Sequence, residues 1–289
     1  MIYHYPVLLT ETLNILDIRP GKIYLDATLG NGGHALEILK RGGIVHGFDQ
    51  DPSNLKIATD RLTQLGLQSN FYPVNQNFNQ IGHYIKQNNL LVNGILFDLG
   101  LSSNQQKAKD RGFSFNDDQS LDMRLDPTIQ TLTAEEIVNT YSAANLYDIF
   151  SKIGQEKMSR PLIRKIISSR QHQSIKTGQQ LNQIINKYYS EKHLKTATNP
   201  ATKIFMCLRI VVNQEYENLK TVLQQSLDFP QNCVIVFITF HSGEDRLVKL
   251  FIKSHPIKNL TPKPIRPQLA EIKQNPLSRS ATLRSYRIV

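Results

Sequence analysis

A glycine-rich turn and a carboxylate nineteen residues after its first glycine are the first candidates for chemistry in this chain. The turn reads Gly30-Asn-Gly32-Gly33-His34 and follows the apolar run Ile23–Ala27, while Asp49 follows the apolar run Ile44–Phe48. Glycines let a backbone approach a ligand closely, and a carboxylate at this spacing can accept hydrogen bonds from ribose hydroxyls. The pattern predicts the first half of a nucleotide-binding βαβ unit.

The turn lacks the third glycine of a dinucleotide-binding loop, because Ala35 and Leu36 stand where that glycine is expected. A pyrophosphate cofactor is therefore not clearly indicated. S-adenosylmethionine needs the ribose carboxylate and a close backbone but no phosphate cradle, so the sequence favours it. A glycine-rich turn that binds no ligand is the alternative.

Candidate site residues, most of them polar, also follow the other apolar runs of the chain. Phe78 follows the third run, Asp98-Leu-Gly-Leu-Ser102-Ser103 ends the fourth, and Phe240-His241-Ser242 ends a late one. Because ligands sit outside the carboxyl ends of the strands in an open parallel sheet, we expect these residues to converge. Five polar strand ends at one edge predict an active site there.

The elements that position these residues follow from the order of the apolar patterns. Residues 1–104 alternate strand and helix, which predicts an α/β fold with a doubly wound, mostly parallel sheet. Residues 105–200 show helical patterns and no clear buried strand, so we expect a helical insert. Residues 201–289 return to the α/β domain with a helix Ala201–Leu223, a strand Cys233–Thr239, a basic tail and a final strand from Ala281.

The net charge of +10 lies outside the first 100 residues, which have a balance of −1. This asymmetry indicates a polyanionic partner such as a nucleic acid, with a solvated basic surface as the alternative. Arg111 stands beside Phe113 and Phe115, a pattern suited to holding a base or phosphate, or else a loop anchored by two core rings. Arg124 stands two residues from Asp122, for which a structural ion pair is the alternative.

Composition excludes several other classes of protein. Hydrophobic residues make up 40% and charged residues 20% of the 289, which is typical of a globular and not a disordered chain. No apolar run approaches the ~20 residues of a membrane helix, so no membrane partner is expected. Cys207 and Cys233 lack zinc-binding spacing and are expected to be reduced thiols in the cytoplasm. No metal is expected, and the oligomeric state is unknown.

Together these motifs resemble the ribosomal RNA cytosine-N4 methyltransferase family (RsmH, formerly MraW). The resemblance extends from His4 to Arg284 and rests on ordered motifs: His4-x-Pro-Val-Leu-Leu, Asp26-Ala-Thr-x-Gly-x-Gly-Gly-His34, Asp49-x-Asp-Pro52, Asp98-Leu-Gly-x-Ser-Ser103, Arg111-Gly-Phe-Ser-Phe115, Leu121-Asp-Met-Arg124, Phe240-His-Ser242, Glu244-Asp-Arg246 and Ser278-Arg-Ser-Ala281. It implies a class I, Rossmann-like methyltransferase in which an inserted helical subdomain, residues 105–200, helps to recognise the substrate.

The resemblance also implies the reaction and the site. The reaction would be methyl transfer from S-adenosylmethionine to N4 of a cytidine in 16S rRNA of the small ribosomal subunit, at position 1402 in the decoding region. The expected cofactor contacts are Gly30, Gly32, Gly33, His34, Asp49, Phe78, Asp98 and Gln105. The expected catalytic residues are Asp98, Ser102, Ser103 and His241, and the expected RNA contacts are Arg111, Phe113, Arg124, Arg279 and Arg284.

The role of Asp98 has two interpretations at this stage. It could accept hydrogen bonds from the cytosine amine, or it could hold only the amino group of the methionine moiety. Ser102, Ser103 and His241 could fix the base or take the released proton.

Three residues depart from the family pattern: Gln155, Met206 and Gly243. The family has leucine at the position of Gly243. We expect Gly243 to loosen a loop after His241. Three other functions remain open: another amino-group methyltransferase of nucleic acids, a non-catalytic RNA-binding protein, and a nicotinamide-dependent dehydrogenase, for which no Tyr/Lys hydride-site signature is found.

Overall fold

The computed structural model describes residues 5–196 and 198–289, so His4 of the first motif lies outside the described residues. The chain forms two compact units. The α/β unit comprises Met1–Ser102 and Tyr216–Val289, and the helical unit comprises Ser103–Glu215.

One seven-stranded sheet forms the centre of the α/β unit, in the spatial order β3-β2-β1-β4-β5-β7-β6. Its strands are β1 (Ile23–Asp26), β2 (Ile44–Phe48), β3 (Phe71–Val74), β4 (Val92–Asp98), β5 (Val234–Thr239), β6 (Lys258–Asn259) and β7 (Thr282–Arg287). Strands β1 to β5 pair in parallel, and β7 runs antiparallel to both β5 and β6. The predicted doubly wound, mostly parallel sheet is confirmed.

Thirteen α-helices connect or follow these strands in the part of the chain that the structure describes. They are α1 (Leu9–Leu16), α2 (Gly33–Lys40), α3 (Pro52–Gln64), α4 (Ile81–Gln87), α5 (Ser103–Lys107), α6 (Ala134–Thr140), α7 (Ala143–Tyr147), α8 (Ser159–His172), α9 (Gly178–Glu191), α10 (Ala201–Val212), α11 (Glu215–Gln225), α12 (Ser242–Ser254) and α13 (Leu269–Gln274). None of the helices in these described ranges is both long and apolar enough to cross a membrane.

Both faces of the sheet are buried under helices. On one face, α1 packs against β4 and β5, and α2 packs against β1 and β2, with Leu13 of α1, Ile38 of α2 and Leu62 of α3 in one core. On the other face, α4, α11 and α12 bury Ile85, Val222 and other apolar residues against β4 and β5. Strands covered on both sides have near-continuous apolar sequences, which explains why β4 and β5 were readily predicted.

The order of the strands reverses between β1 and β4. From β1 the chain moves outward to β2 and β3, and then returns to place β4 on the other side of β1. The loops that follow β1 and β4 therefore diverge and leave a crevice at the carboxyl ends of the strands, which is where ligands bind in such sheets.

The helical unit contains no strand within its described residues, 103–196 and 198–215. Its core includes Leu121, Ile137, Leu162, Leu181 and Leu208. The insert was predicted at 105–200, whereas the unit runs to Glu215 because the apolar face of α10 lies in this core.

The single helix predicted over Ala201–Leu223 is wrong, because α10 ends at Val212 and α11 begins at Glu215. Gln214 has φ +51°, a left-handed conformation that interrupts a helix. Beside it the buried amide of Asn213 donates to the carbonyl of Met123 at 2.8 Å and accepts from the amide of Leu125 at 2.8 Å. These partners are distant in sequence, so helical periodicity could not reveal the break.

Candidate active site at the strand ends

The glycine-rich turn after β1 and the acid after β2 are in direct contact. The amide of Gly30 donates to Asp49 Oδ2 at 2.9 Å, and Gly30 has φ +52°, a conformation that glycine adopts without strain. Asp49 Oδ1 accepts from the amide of Asp51 at 2.9 Å, and Asn54 Nδ2 lies 3.2 Å from Oδ2. A carboxylate has about four acceptor positions, so Asp49 retains acceptor capacity for a ligand hydroxyl.

Burial raises the pKa of Asp49 to about 7, and the backbone hydrogen bonds from Asp51 and Gly30 oppose that rise. A group in this state gains from a ligand that donates hydrogen bonds, because such bonds stabilise its ionised form. The structure thus places Asp49 beside the glycine-rich turn, and its contact with a ribose stays a prediction.

The turn enters α2 through Gly32 and Gly33. Gly32 precedes the helix with φ +70°. At Gly33 an added Cβ would lie 2.6 Å from the ring carbon Cγ of Pro6, so the segment before α1 packs directly against the turn. Gly33 lets the N-terminal segment and the turn approach each other, whereas a Cβ at Gly32 would meet Ala58 of α3.

Asp98 ends β4 with a carboxylate oxygen that has no partner. Its Oδ1 is buried and makes no hydrogen bond to any residue that the structure describes. Its backbone amide donates to Thr28 Oγ1 at 2.7 Å, which fixes the end of β4 beside the turn after β1. Burial, together with the charges of Asp26 and Glu244, raises the pKa of Asp98 to about 8. A buried polar oxygen without a partner is a candidate contact for a bound ligand.

His34 lies beside Asp98 with its ring buried. His34 Nε2 is 3.1 Å from the carbonyl oxygen of Val7, and Nδ1 is 3.7 Å from Asp98 Oδ2. Burial lowers the pKa of His34 to about 4. The ring is therefore neutral near pH 7.

Ser102 follows β4, and Phe78 follows β3 at the edge of the parallel part of the sheet. Ser102 Oγ donates to Asn54 Oδ1 at 3.0 Å, and so connects the loop after β4 to the partner of Asp49. The ring of Phe78 meets the ring of Phe97 edge to face, with centroids 5.8 Å apart. The backbone of Ser103 begins α5, and the side chain of Ser103 lies outside the described residues.

His241 is the N-cap of α12, where its Nδ1 accepts from the amide of Glu244 at 3.5 Å. His241 Nε2 lies 3.1 Å from Glu244 Oε1. The same Glu244 carboxylate accepts from the amide of Phe240 at 3.0 Å. The ring is thus held at the carboxyl end of β5 by the first turn of the helix that follows it.

The predicted RNA contacts Arg111, Phe113 and Arg124, and the predicted cofactor contact Gln105, belong to the helical unit. Gln105 is buried within α5. The guanidinium of Arg111 lies over the ring of Phe113 at 5.7 Å and donates to the carbonyls of Arg124 and Leu125. Arg124 itself is held by Asp122 through its Nε at 2.8 Å and by the carbonyl of Gln130.

The two remaining predicted RNA contacts differ sharply in exposure. Arg284 is buried in β7, and its Nε donates to Asp245 Oδ1 at 2.6 Å. Arg279 is exposed. The sequence did not reveal that Arg284 is committed to a carboxylate, because Asp245 lies 39 residues away.

Sequence reasoning also missed three side chains that support the site. Thr28 fixes the end of β4, Asn54 joins Asp49 to Ser102, and Glu244 holds the backbone after β5. Thr28 stands inside the Asp-Ala-Thr motif and could have been found there. Asn54 carried no signal, because it acts through side chains from two other segments.

A doubly wound sheet with a glycine-rich turn after its first strand and an acid after its second places the chain among the Rossmann-like nucleotide-binding folds, a class that includes methyltransferases. The chain belongs to the MraW methylase family, whose model matches residues 1–289. It is therefore an S-adenosylmethionine-dependent methyltransferase, as the resemblance predicted.

Two relatives match over nearly their whole length. A protein named Ribosomal RNA small subunit methyltransferase H from Oceanobacillus iheyensis is 41% identical, over 98% of this chain and 94% of the relative. A protein of the same name from Hydrogenobaculum sp. is 40% identical, over 99% of this chain and 96% of the relative.

Proposed function

We propose that this chain methylates N4 of a cytidine in 16S rRNA, at position 1402 in the decoding region, and that it acts in the cytoplasm. The similarity to relatives named as small-subunit rRNA methyltransferases supports the substrate. The observation that carries the chemistry is Asp98 Oδ1, a buried acceptor without a partner in the described chain, at the end of β4.

The residues present fit S-adenosylmethionine, which supplies an electrophilic methyl group when it is bound. Asp49 would accept the ribose hydroxyls, and Gly30, Gly32 and Gly33 would bring the backbone close to the ligand. Phe78 would lie by the adenine. Gln105 stays a proposed contact on the strength of the motif alone.

Cytosine N4 is a weak nucleophile because its lone pair is delocalised into the ring. The Asp98 carboxylate would accept a hydrogen bond from the amine, orient its lone pair and take the proton that the nitrogen releases. Holding reactants in a near-attack geometry can supply ~7–11 kcal/mol. Asp98 would be suited to this task because the raised pKa makes it a stronger base than an ordinary carboxylate. Its other proposed role is to hold the methionine amino group only.

Ser102 and Ser103 follow Asp98 and would position the base, while His241 would orient the loop after β5. Because Nδ1 of His241 faces an N-terminal amide of α12, we assign this residue a positioning task and not proton transfer.

The target base must leave its stack to reach a pocket of this kind. Arg111 and Phe113 would hold it, and Arg279 would contact phosphate. We propose structural tasks for Arg124 and Arg284, whose guanidinium groups are bound by Asp122 and Asp245.

The first prediction concerns Asp98→Asn, which keeps the shape of the side chain but removes its charge and basicity. We expect turnover to fall by at least ~100-fold, with S-adenosylmethionine affinity within about threefold of the parent. Cofactor affinity is measured by calorimetry and turnover with small-subunit RNA under saturating cofactor. Asp60→Asn, an exposed site on α3, is the matched control and should change neither. Lost cofactor binding with retained turnover would assign Asp98 to the methionine amine alone.

The substrate is tested separately by mass mapping of 16S rRNA from cells with and without this chain. We expect the N4-methyl mark at one cytidine in the decoding region to depend on the chain. A mark on another base, or none, would contradict the proposed substrate.

A further inference from the structure

We propose that His34 is a positioning residue for Asp98, and that the lone pair on its Nδ1 accepts a hydrogen bond from the O–H of protonated Asp98. The N-terminal strap, Tyr5–Leu8, selects this nitrogen by occupying the other one. The inference deepens the proposed function, because the proton in question is the one that the cytosine amine releases.

The first step is the tautomer of His34. Its Nε2 is 3.1 Å from the carbonyl oxygen of Val7. A carbonyl oxygen can only accept, so Nε2 must carry the hydrogen. The ring is neutral near pH 7, since burial lowers the pKa of His34 to about 4. Nδ1 is therefore an unprotonated acceptor, and it is the nitrogen that faces Asp98.

The second step is what holds Val7 in place. The amide of the next residue, Leu8, donates to Glu271 Oε1 at 2.9 Å. Asn275 Nδ2 donates to the carbonyl of Tyr5 at 3.1 Å. Pro6 lies against Gly33. The strap is thus fixed by residues of α13 and of the segment after it, and by the glycine-rich turn, so the Val7 carbonyl has little freedom to release Nε2.

The third step is the state of Asp98. The titratable groups that face it are His34 from α2, Asp26 from β1 and Glu244 from α12. The separation of 3.7 Å between His34 Nδ1 and Asp98 Oδ2 is too long for a hydrogen bond. A carboxylate facing a lone pair is repelled by it, whereas a protonated carboxyl group has an O–H to donate. Protonation of Asp98 should therefore close the gap to hydrogen-bond distance.

The proton balance during methyl transfer follows from these contacts. One N–H bond of the cytosine amine breaks, its electron pair stays on nitrogen, and the proton binds Asp98. The new O–H then donates to His34 Nδ1, and the proton later leaves to solvent. His34 stays neutral throughout, and its hydrogen bond favours the protonated form of Asp98, which makes Asp98 a better base.

The test uses the ligand-free chain, so it does not depend on the proposed substrate. We measure the titration of the Asp98 carboxyl carbon and the tautomer of His34 by NMR. Two variants each keep the function of one ring nitrogen. His34→Gln can still donate to the carbonyl of Val7 but offers no acceptor at the Nδ1 position. His34→Asn offers an acceptor near the Nδ1 position but does not reach Val7. His46→Gln is the control, because His46 is also buried but contacts Tyr84.

We expect the Nε2–H tautomer in the parent and a fall of at least about one pKa unit for Asp98 in His34→Gln, equivalent to a tenfold loss of proton affinity. In His34→Asn the pKa of Asp98 should fall less, and in His46→Gln it should stay unchanged. With RNA and saturating cofactor, His34→Gln should lower kcat by roughly the same factor and shift the acid limb of the pH profile.

An unchanged Asp98 titration in His34→Gln, or an Nδ1–H tautomer in the parent, would overturn the proposal. So would a loss of stability in His34→Gln without a shift of the Asp98 titration. If instead the tautomer and titration are as expected but 16S rRNA is not methylated, the hydrogen bond from Asp98 to His34 is supported and the proposed substrate is wrong.

Discussion

Gly243 is a residue whose meaning changed once its surroundings were known. The sequence suggested a glycine that loosens a loop after His241. The residue instead lies in the first turn of α12, and a Cβ built on it would overlap the hydroxyl of Tyr216. Tyr216 is also tilted over the ring of His241, with centroids 5.8 Å apart. The absent side chain makes room for a tyrosine.

We predict that Gly243→Ala destabilises the protein. Alanine is the better helix former by about 1 kcal/mol, but overpacking against Tyr216 should cost about 1–3 kcal/mol. Urea unfolding measures the difference between the variant and the parent. In a Tyr216→Leu background the same substitution should become neutral or stabilising, because the hydroxyl is gone. Equal destabilisation in both backgrounds would rule out this contact.

Residues differ in how far the sequence alone defines their roles. The pairing of Gly30 with Asp49 was predictable, because a strand, a tight turn and an acid at fixed spacing leave few arrangements. The burial of Arg284 was not, because its partner Asp245 comes from another element. The direction of the His34 ring was also hidden, since it depends on a carbonyl 27 residues earlier.

At the level of elements, periodicity located the buried strands closely. The predicted strands Ile44–Phe48 and Phe71–Val74 have those limits in the structure. Periodicity did not reveal the break between α10 and α11, because that break depends on the side chain of Asn213, which bonds to a distant loop. In that loop Met123 has φ +64°, and its carbonyl is bound by Asn213. Tertiary hydrogen bonds of this kind have no signature in a local pattern.

We predict that Asn213→Ala destabilises the helical unit by about 1–3 kcal/mol, the cost of leaving buried polar groups unsatisfied. The carbonyl of Met123 and the amide of Leu125 would both lose their partner. Urea unfolding and hydrogen exchange at the Leu125 amide measure the effect. Asn116→Ala, at an exposed position, is the matched control. A loss no greater than that of Asn116→Ala would show that the loop is held by other contacts.

At the level of the whole molecule, the buried carboxyl groups make stability depend on pH. Burial raises the pKa of Asp26 and Asp49 to about 7 and that of Asp98 to about 8, from the ordinary carboxyl value of 3.8. Between the ordinary pKa and the raised pKa of each group, the folded state binds more protons than the unfolded state. These groups therefore make stability fall as pH rises. His34 and His46 act oppositely, since their lowered pKa values make stability rise up to about pH 6.5 and not beyond.

We therefore predict that the ligand-free chain loses about 1–3 kcal/mol of stability between pH 6.5 and 8, where only the carboxyl groups act. Urea unfolding at the two pH values measures the loss. Asp49→Asn cannot ionise, so it should reduce the slope. Stability that rises over this interval would contradict the assignment of buried, protonated carboxyl groups.

The order in which the sheet is assembled has a consequence for the chain during its synthesis. The helical unit is one continuous stretch, but β5, the neighbour of β4, comes after it, and the amide of Leu8 bonds to Glu271, 263 residues later. A nascent chain therefore presents an apolar, unpaired β4 edge while the helical unit is being made. Unpaired strand edges can pair with other chains. Chaperones at the ribosome would therefore have to shield this edge until residues 234–239 emerge.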